Sequence, residues 1–355
     1  MSDESISTPL RSGFEQVTGI VASEFRVQES LNDNGTPVYY LVQPQETKQA
    51  FLRLLKKLEP MHLIALLRRT GGRWVLRVVP RPAVKPSNVL INWGLLLATI
   101  ATTFFTGYFL SPDLVNPFVG GAAFTAAILA VLGTHEMGHK ITADKRGIDA
   151  TPPYFIPAPP APFGIGTFGA VIMQKSLPPN RDALFDVGAD GPIAGFVVAT
   201  IVSIIGLPLS IPTTTQTGGQ IGVPLIWTIL DGFLNALKLI PHGTLLLHPV
   251  AFAGWVGMLV TTLNLLPVAM LDGGHVARSV LGENMALRLI LAVVSIAYLL
   301  FEGLYPMAFL VILMLTFRHP GPLDDVSGLS ARRKLVALGL VAIFVLCAVP
   351  LPSIL

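Results

Sequence analysis

The chain has 355 residues, of which 52% are hydrophobic and only 13% are charged, and its mean hydropathy is +0.65. This composition excludes an ordinary soluble domain and predicts a polytopic α-helical membrane protein. A net charge of +3 is too small to indicate a nucleic-acid partner, and the single cysteine excludes an intramolecular disulfide and a CxxC metal site.

Residues 1–88 differ from the rest of the chain and predict a small soluble α+β domain with its linker. Turn-forming residues at 32–35 and 70–72 each separate two strand-like segments, and a helical pattern over 47–58 lies between these pairs. The predicted order is ββαββ. Nine Lys and Arg residues lie between positions 53 and 85, so the positive-inside rule predicts that this domain is cytoplasmic.

Residues 89–355 predict the membrane domain. The stretch 285–317 is too long for one crossing and is interrupted by Glu302, Gly303 and Pro306, which favours a hairpin of two short helices. With that hairpin the basic residues 332–334 fall on the cytoplasmic side, so seven spans fit better than six. The predicted spans are about 89–110, 118–141, 183–209, 250–270, 285–301, 304–317 and 335–350.

The second span contains an HExxH motif at residues 135–139. On a helix, His135 and His139 lie one turn apart on one face, which suits two imidazoles binding one zinc ion, and Glu136 then lies beside the metal as a base for water. A motif this short also occurs by chance on exposed surface helices of soluble proteins. Ionisable groups within a membrane span are costly and usually functional, so the pattern predicts a metallohydrolase.

A zinc site needs a third protein ligand, for which the sequence offers several candidates. His242 and His248 fall in the connection 210–248, which the charge pattern places outside. Asp186 and Asp190 open the third span, where Asp190 is equally typical of a helix cap. Asp272 follows the fourth span at the membrane level of the HExxH motif and is therefore the favoured candidate.

The segments HEMGH (135–139) and NLLPVAMLDGGH (264–275) together resemble the site-2 proteases, the intramembrane zinc metalloproteases of family M50. The resemblance extends from about residue 89 through the predicted hairpin, and it is closer to the branch with archaeal and plastid EGY-type proteins than to the bacterial sporulation or envelope-stress enzymes. It implies one zinc ion held by His135, His139 and Asp272, with Glu136 as the base. It also implies that Asn264 contacts substrate or the oxyanion, and it gives His275 no ligand role.

A glycine-rich segment at 164–173 follows the HExxH helix. The resemblance implies that it forms a membrane-associated β element near the site, so Gly166, Phe168 and Gly169 are predicted to bind substrate. A strand edge suits this role, because an unwound transmembrane substrate can pair its freed amides with such an edge. The alternative interpretation is a glycine-rich connector.

The predicted function is hydrolysis of peptide bonds within or near transmembrane segments of membrane-protein substrates. The predicted surroundings are membrane lipid, with the chain spanning a prokaryotic cell membrane several times; no oligomeric state is predicted. Two other functions remain open. An inactive scaffold or chaperone normally loses the Glu or a His of the motif, and a metal-ion transporter would continue its polar residues through the outer halves of the spans.

Overall fold

The computed structural model describes residues 8–83, 86–111, 114–213, 221–240, 243–316 and 320–348. A small α+β domain comes first and a larger helical part follows. The domain consists of α1 (Thr8–Ala22), β1 (Val27–Asp33), β2 (Thr36–Leu41), α2 (Lys48–Leu58), β3 (Leu63–Thr70) and β4 (Arg73–Pro80).

The four strands form one antiparallel sheet in the order β1-β2-β4-β3, which leaves β3 at an edge. Both hairpins turn at residues with positive φ, Asn34 and Gly35 in the first and Gly71 and Gly72 in the second, which matches the right-handed twist of the strands. The apolar face of α2 is buried against the sheet. Helix α1, which the sequence analysis did not predict, packs beside α2.

The helical part contains α3 (Val89–Phe109), α4 (Pro117–Lys145), α5 (Arg181–Gly206), α6 (Leu225–Ala236), α7 (Pro249–Leu265), α8 (Asp272–Leu281), α9 (Met285–Phe301), α10 (Tyr305–Leu315) and α11 (Ala331–Cys347). Helices α3, α4 and α5 with its extension to Leu209 are long and apolar enough to cross a membrane. Helices α6, α7, α9 and α10 are apolar but have only 11 to 17 residues. The structure thus confirms a mostly helical chain with apolar spans and a small sheet domain, and the count of seven crossings stays a prediction.

Several boundaries differ from the sequence interpretation. The predicted fourth span, 250–270, is a shorter helix that ends at Leu265, because Leu266 leaves helical geometry and Pro267 has no N–H to donate. Asp272 then begins a separate helix, α8, that was not predicted. Residues 349 and 350 of the last predicted span lie outside the described residues.

The glycine-rich segment forms a hairpin beside the long helices. Strand β5 (Tyr154–Pro157) pairs antiparallel with β6 (Thr167–Val171), and the hairpin packs against α3 and α4. A second, very short pair consists of β7 (Ile211–Pro212) and β8 (Leu245–Leu246). The predicted strand in 164–173 therefore exists and lies next to the helix that carries the HExxH motif.

The α+β domain packs against one end of the helical part. The edge strand β3 gains a neighbour there, since the Leu67 N–H donates to the Leu323 carbonyl at 2.9 Å and the Asp325 N–H donates to the Leu67 carbonyl at 3.1 Å. Lys48 of α2 forms an ion pair at 3.0 Å with Asp182, in the first turn of α5. The domain therefore lies at the end where α4 finishes and where α5 and α11 begin.

Candidate active site

Two histidines of α4 face one another in the interior of the protein. The Nε2 atoms of His135 and His139 are 3.1 Å apart, and the two residues are 3% and 5% exposed. Their spacing of four residues places both rings on one face of the helix, as the sequence predicted. Helix α4 is continuous from Pro117 to Lys145 and so presents this pair rigidly.

Asp272 completes a compact triangle with these two nitrogens. Its Oδ2 lies 3.2 Å from His135 Nε2 and 3.2 Å from His139 Nε2. The chain reaches this point through a tight turn after α7 in which Ala269 has a φ of 53°. Because Asp272 is the first residue of α8, the positive end of the helix dipole favours its ionised form.

The triangle fits a metal ion. Zinc with tetrahedral bonds of about 2.0–2.1 Å requires ligand atoms about 3.3–3.4 Å apart, close to the three observed separations of 3.1, 3.2 and 3.2 Å. Two imidazoles and one carboxylate are also a donor set that zinc accepts. Glu136 is a less suitable third ligand, since its Oε1 lies 4.0 Å from His135 Nε2. Its carboxylate is nevertheless within 4.8 Å of both histidines.

Helix α5 holds the histidine rings in place. The Nδ1 of His139 donates to the Val187 carbonyl at 2.6 Å, which leaves Nε2 with a lone pair for a metal. A Cβ at Gly191 would lie 2.1 Å from His139 Nε2, and one at Gly195 would lie 2.9 Å from His135 Nδ1. Only glycine at these two positions lets α5 approach the rings this closely.

Glu136 and Asn264 flank the triangle on different elements. The Glu136 side chain is 8% exposed, and its carboxylate accepts a hydrogen bond from the backbone N–H of Ile172, one residue beyond β6. Asn264, in the last turn of α7, places its Nδ2 3.2 Å from His135 Nε2. A base and an amide therefore lie beside the position that a metal would occupy.

The model of the family described as peptidase family M50 matches residues 123–301, about half of the chain, and this range contains both motifs. The chain belongs to this family. The resemblance predicted from the two motifs is thereby confirmed.

Curated relatives of this M50 chain include two plant proteins. The probable zinc metalloprotease EGY2, chloroplastic, of Arabidopsis thaliana is 31% identical over 298 residues, covering 78% of this chain and 52% of the relative. The probable zinc metalloprotease EGY1, chloroplastic, of Oryza sativa subsp. japonica is 30% identical, covering 68% and 43%. The chain spans about half the length of the curated relatives it matches.

A solved structure also matches this M50 chain. It is the site-2 protease from Methanocaldococcus jannaschii, at 17% identity and a TM-score of 0.31, covering 72% of this chain and 92% of the other.

The three predicted substrate-binding residues of the β5–β6 hairpin differ in accessibility. Phe168 is 77% exposed, and an added Cβ at Gly169 would meet no atom within 4 Å. Gly166 is buried against α3, and its carbonyl already accepts hydrogen bonds from Thr102 Oγ1 at 2.6 Å and Ala158 N–H at 3.1 Å. The open part of the hairpin is therefore Phe168 and Gly169.

The other ligand candidates have different partners. Asp190 accepts from the Thr142 hydroxyl, and Asp186 pairs with Arg333 and Arg146. His248 caps the start of α7, at the opposite end of that 17-residue helix from Asn264. His242 lies outside the described residues.

Sequence reasoning missed four contributions to this site, namely the Val187 carbonyl, the Ile172 N–H and the glycines at 191 and 195. The two backbone groups leave no trace in the sequence. The glycines had a signal, because Gly188, Gly191 and Gly195 recur along one apolar span, and small residues at such spacing indicate close helix approach.

Proposed function

We propose that this M50 chain is a zinc metallopeptidase that hydrolyses peptide bonds within or next to transmembrane segments of membrane proteins. The observation that carries this proposal is the triangle of His135, His139 and Asp272 with the Glu136 carboxylate beside it. His135, His139 and Glu136 are buried and Asp272 is half-buried, and they lie among helices of which α4 and α5 are long enough to span a membrane. The relatives named zinc metalloproteases support the same metal.

The residues of the chain then have distinct roles. His135, His139 and Asp272 would hold one zinc ion, which supplies Lewis acidity towards a carbonyl and lowers the pKa of water. Glu136 takes a proton from the attacking water and returns it to the leaving amine. The Ile172 N–H, which donates to the Glu136 carboxylate, fixes the direction of this base. Asn264 contacts the substrate carbonyl from the other side of the triangle.

The substrate lies along the open part of β6. A transmembrane helix hides its amides in its own hydrogen bonds, so the segment to be cleaved must unwind and find new partners. Phe168 offers an exposed aromatic side chain, and the space where a Gly169 side chain would lie is open, shortly before Ile172 in the chain. A strand added there would lead towards Glu136.

The membrane arrangement is part of the proposal. Residues 1–88 form the soluble domain and its linker on the cytoplasmic side, and residues 89–355 cross the membrane seven times. The many Lys and Arg residues before α3 and the basic first turn of α11 support this orientation. A prokaryotic cell membrane stays a prediction, and the curated relatives are named chloroplastic.

The two alternative functions are not favoured. A scaffold has no need for the close contact of three potential metal ligands, and a transporter needs a polar path across the membrane. On the far side of the motif, the described residues of α4 and α7 bury an apolar cluster that includes Phe124, Ile128 and Val131. This cluster would block such a path.

The test is cleavage of a panel of single-span model substrates by the purified protein in liposomes, with bound zinc counted. Wild type is compared with Glu136→Gln and with Glu15→Gln, a matched change at an exposed glutamate of α1. We expect Glu136→Gln to lose about 10²–10⁴-fold in rate while it keeps its zinc, and Glu15→Gln to match wild type. Cleavage by Glu136→Gln at the wild-type rate, or a wild type that binds no zinc, would overturn the proposal.

A further inference from the structure

A cavity of about 640 Å³ lies where the α+β domain meets the helical part, and we call it the junction cavity. Helix α2 and the start of β3 form one wall. Residues 174–179, which run from β6 to α5, form the opposite wall together with the end of α4. Met270 and His275 also line the junction cavity.

The junction cavity adjoins the candidate active site. Met270 and His275 lie two residues before and three residues after Asp272 in the chain. On the opposite wall, Gln174 lies two residues beyond Ile172, whose N–H donates to Glu136. The junction cavity is therefore lined by chain segments that continue directly from two sides of the candidate active site.

The lining of the junction cavity is strongly cationic. One carboxylate, Glu59, faces five basic residues, namely Arg53, Lys56, Arg81, Arg146 and Lys175. Carboxylates outside the lining offset these charges only in part. Asp149 binds Arg81 at 3.1 Å, and two further carboxylates are each shared between two cations. Glu24 binds both Arg53 and Lys57, and Asp186 binds both Arg146 and Arg333.

Between these charges the walls are apolar. Leucines and prolines from both sides line the space, among them Leu52, Leu55, Leu177 and Pro178. A volume of about 640 Å³ is within the range of cavities that enclose small ligands or a few residues of an extended chain. Apolar walls with cationic groups suit a peptide segment that carries several carboxylate side chains.

Resting on the proposed function, we propose that the junction cavity receives the substrate segment flanking the cleaved transmembrane helix and selects substrates whose flank is acidic. Ordinary cytoplasmic flanks are rich in Lys and Arg, and the cationic lining repels them. An acidic flank is attracted by the same groups. The cavity thus discriminates by attraction and by repulsion together, and most membrane proteins are rejected.

A pair of model substrates tests this selectivity. The two share one transmembrane segment and differ only in five flanking residues on the side of the α+β domain, all Glu in one and all Lys in the other. We expect kcat/KM for the acidic substrate to be higher by about tenfold or more at low salt, with the ratio shrinking as salt is raised. Equal cleavage of both substrates would overturn the inference and leave the proposed function intact.

Charge reversal in the lining sharpens the test. We expect the double variant Lys56→Glu, Lys175→Glu to abolish or invert the preference between the two substrates. Arg69→Glu is the matched control, because Arg69 is an exposed basic residue of β3 outside the lining, and it should leave the ratio unchanged. The same ratio in the double variant and in wild type would contradict the assignment.

A binding measurement separates this inference from catalysis. A fluorescent pentaglutamate peptide is titrated onto the full-length Glu136→Gln protein, with pentalysine peptide, inorganic pyrophosphate and phosphatidylglycerol vesicles as competitors. We expect saturable binding of the pentaglutamate peptide that the Lys56→Glu, Lys175→Glu changes weaken about tenfold or more. Absent binding, or displacement by pyrophosphate or vesicles at concentrations far below those of the unlabelled pentaglutamate peptide, would reject an acidic peptide as the occupant.

Discussion

Two largely buried polar clusters in this protein look alike in composition but differ in the source of their positive charge. In the histidine cluster, His135, His139 and Asp272 bring two imidazole nitrogens and a carboxylate oxygen within 3.2 Å of one another. In the arginine cluster, the Asp325 carboxylate accepts from Arg278 Nη1 at 3.1 Å and from Arg181 Nε at 3.0 Å. The arginine cluster supplies its own positive charge, whereas the histidine cluster offers three donor atoms that a metal cation would hold together.

This difference distinguishes a structural cluster from the proposed metal-binding cluster. Arg181 begins α5, Arg278 lies in α8, and Asp325 belongs to the segment that pairs with β3 of the α+β domain. The arginine cluster therefore joins the two helices that bear Val187 and Asp272 to the α+β domain. It fixes the positions of these helices, and the histidine cluster at the other end of α8 would provide the chemistry of the proposed function.

The largest expected effect comes from removing the carboxylate of the histidine cluster. Asp272→Ala leaves two imidazoles, which hold zinc too weakly, so bound zinc should fall well below one ion per chain and cleavage should become undetectable. Metal analysis and the liposome assay measure both. Asp231→Asn, at an exposed aspartate of α6, should behave as wild type. Full zinc occupancy in Asp272→Ala would remove Asp272 from the ligand set.

The corresponding change in the arginine cluster should affect stability instead. Asp325→Asn leaves the buried guanidinium of Arg278 and the half-buried one of Arg181 without their carboxylate, which should cost about 3–5 kcal/mol in the free energy of unfolding. Denaturation in detergent measures the loss, and Asp33→Asn on the exposed end of β1 is the control. At saturating zinc the folded variant should still bind one ion. A decrease of less than about 1 kcal/mol in the free energy of unfolding would show that the arginine cluster does not stabilise the packing of these helices.

The stabilisation of the fold by zinc should depend on the histidine cluster and not on the arginine cluster. Zinc at about 100 times its Kd should raise the free energy of unfolding by about 2.7 kcal/mol over the metal-free protein. The same increment should appear in Asp325→Asn and be absent from Asp272→Ala. Thermal unfolding with and without a chelator measures it, and an equal response in both variants would place the metal elsewhere.

The smallest effect is expected from Asn264, which lies beside the histidine cluster. Asn264→Ala removes one polar contact near His135, so kcat/KM should fall by about fivefold, equivalent to about 1 kcal/mol, with zinc retained. Asn235→Ala in α6, distant in sequence from both motifs, is the matched change. Loss of zinc in Asn264→Ala would make Asn264 a ligand rather than a substrate contact.

The two clusters were not equally predictable from the sequence. The HExxH spacing fixes the histidine pair on one helix face, and the membrane setting singled out Asp272. The arginine cluster was not foreseen, because its members are 47 and 144 residues apart and only tertiary packing brings them together. Helix α8 was missed for a local reason, since a turn with a positive φ at Ala269 divides what reads as the end of one span.

The measurement that tests the metal centre most directly is zinc X-ray absorption on the purified protein. We predict one zinc ion per chain, coordinated only by nitrogen and oxygen at about 2.0–2.1 Å, with the signature of two imidazoles. The spectrum should change in Asp272→Ala. Two results would contradict the assignment of His135, His139 and Asp272 as the ligands. One is coordination by sulfur, which the single cysteine, Cys347, would have to supply. The other is a spectrum that does not change when Asp272 is replaced.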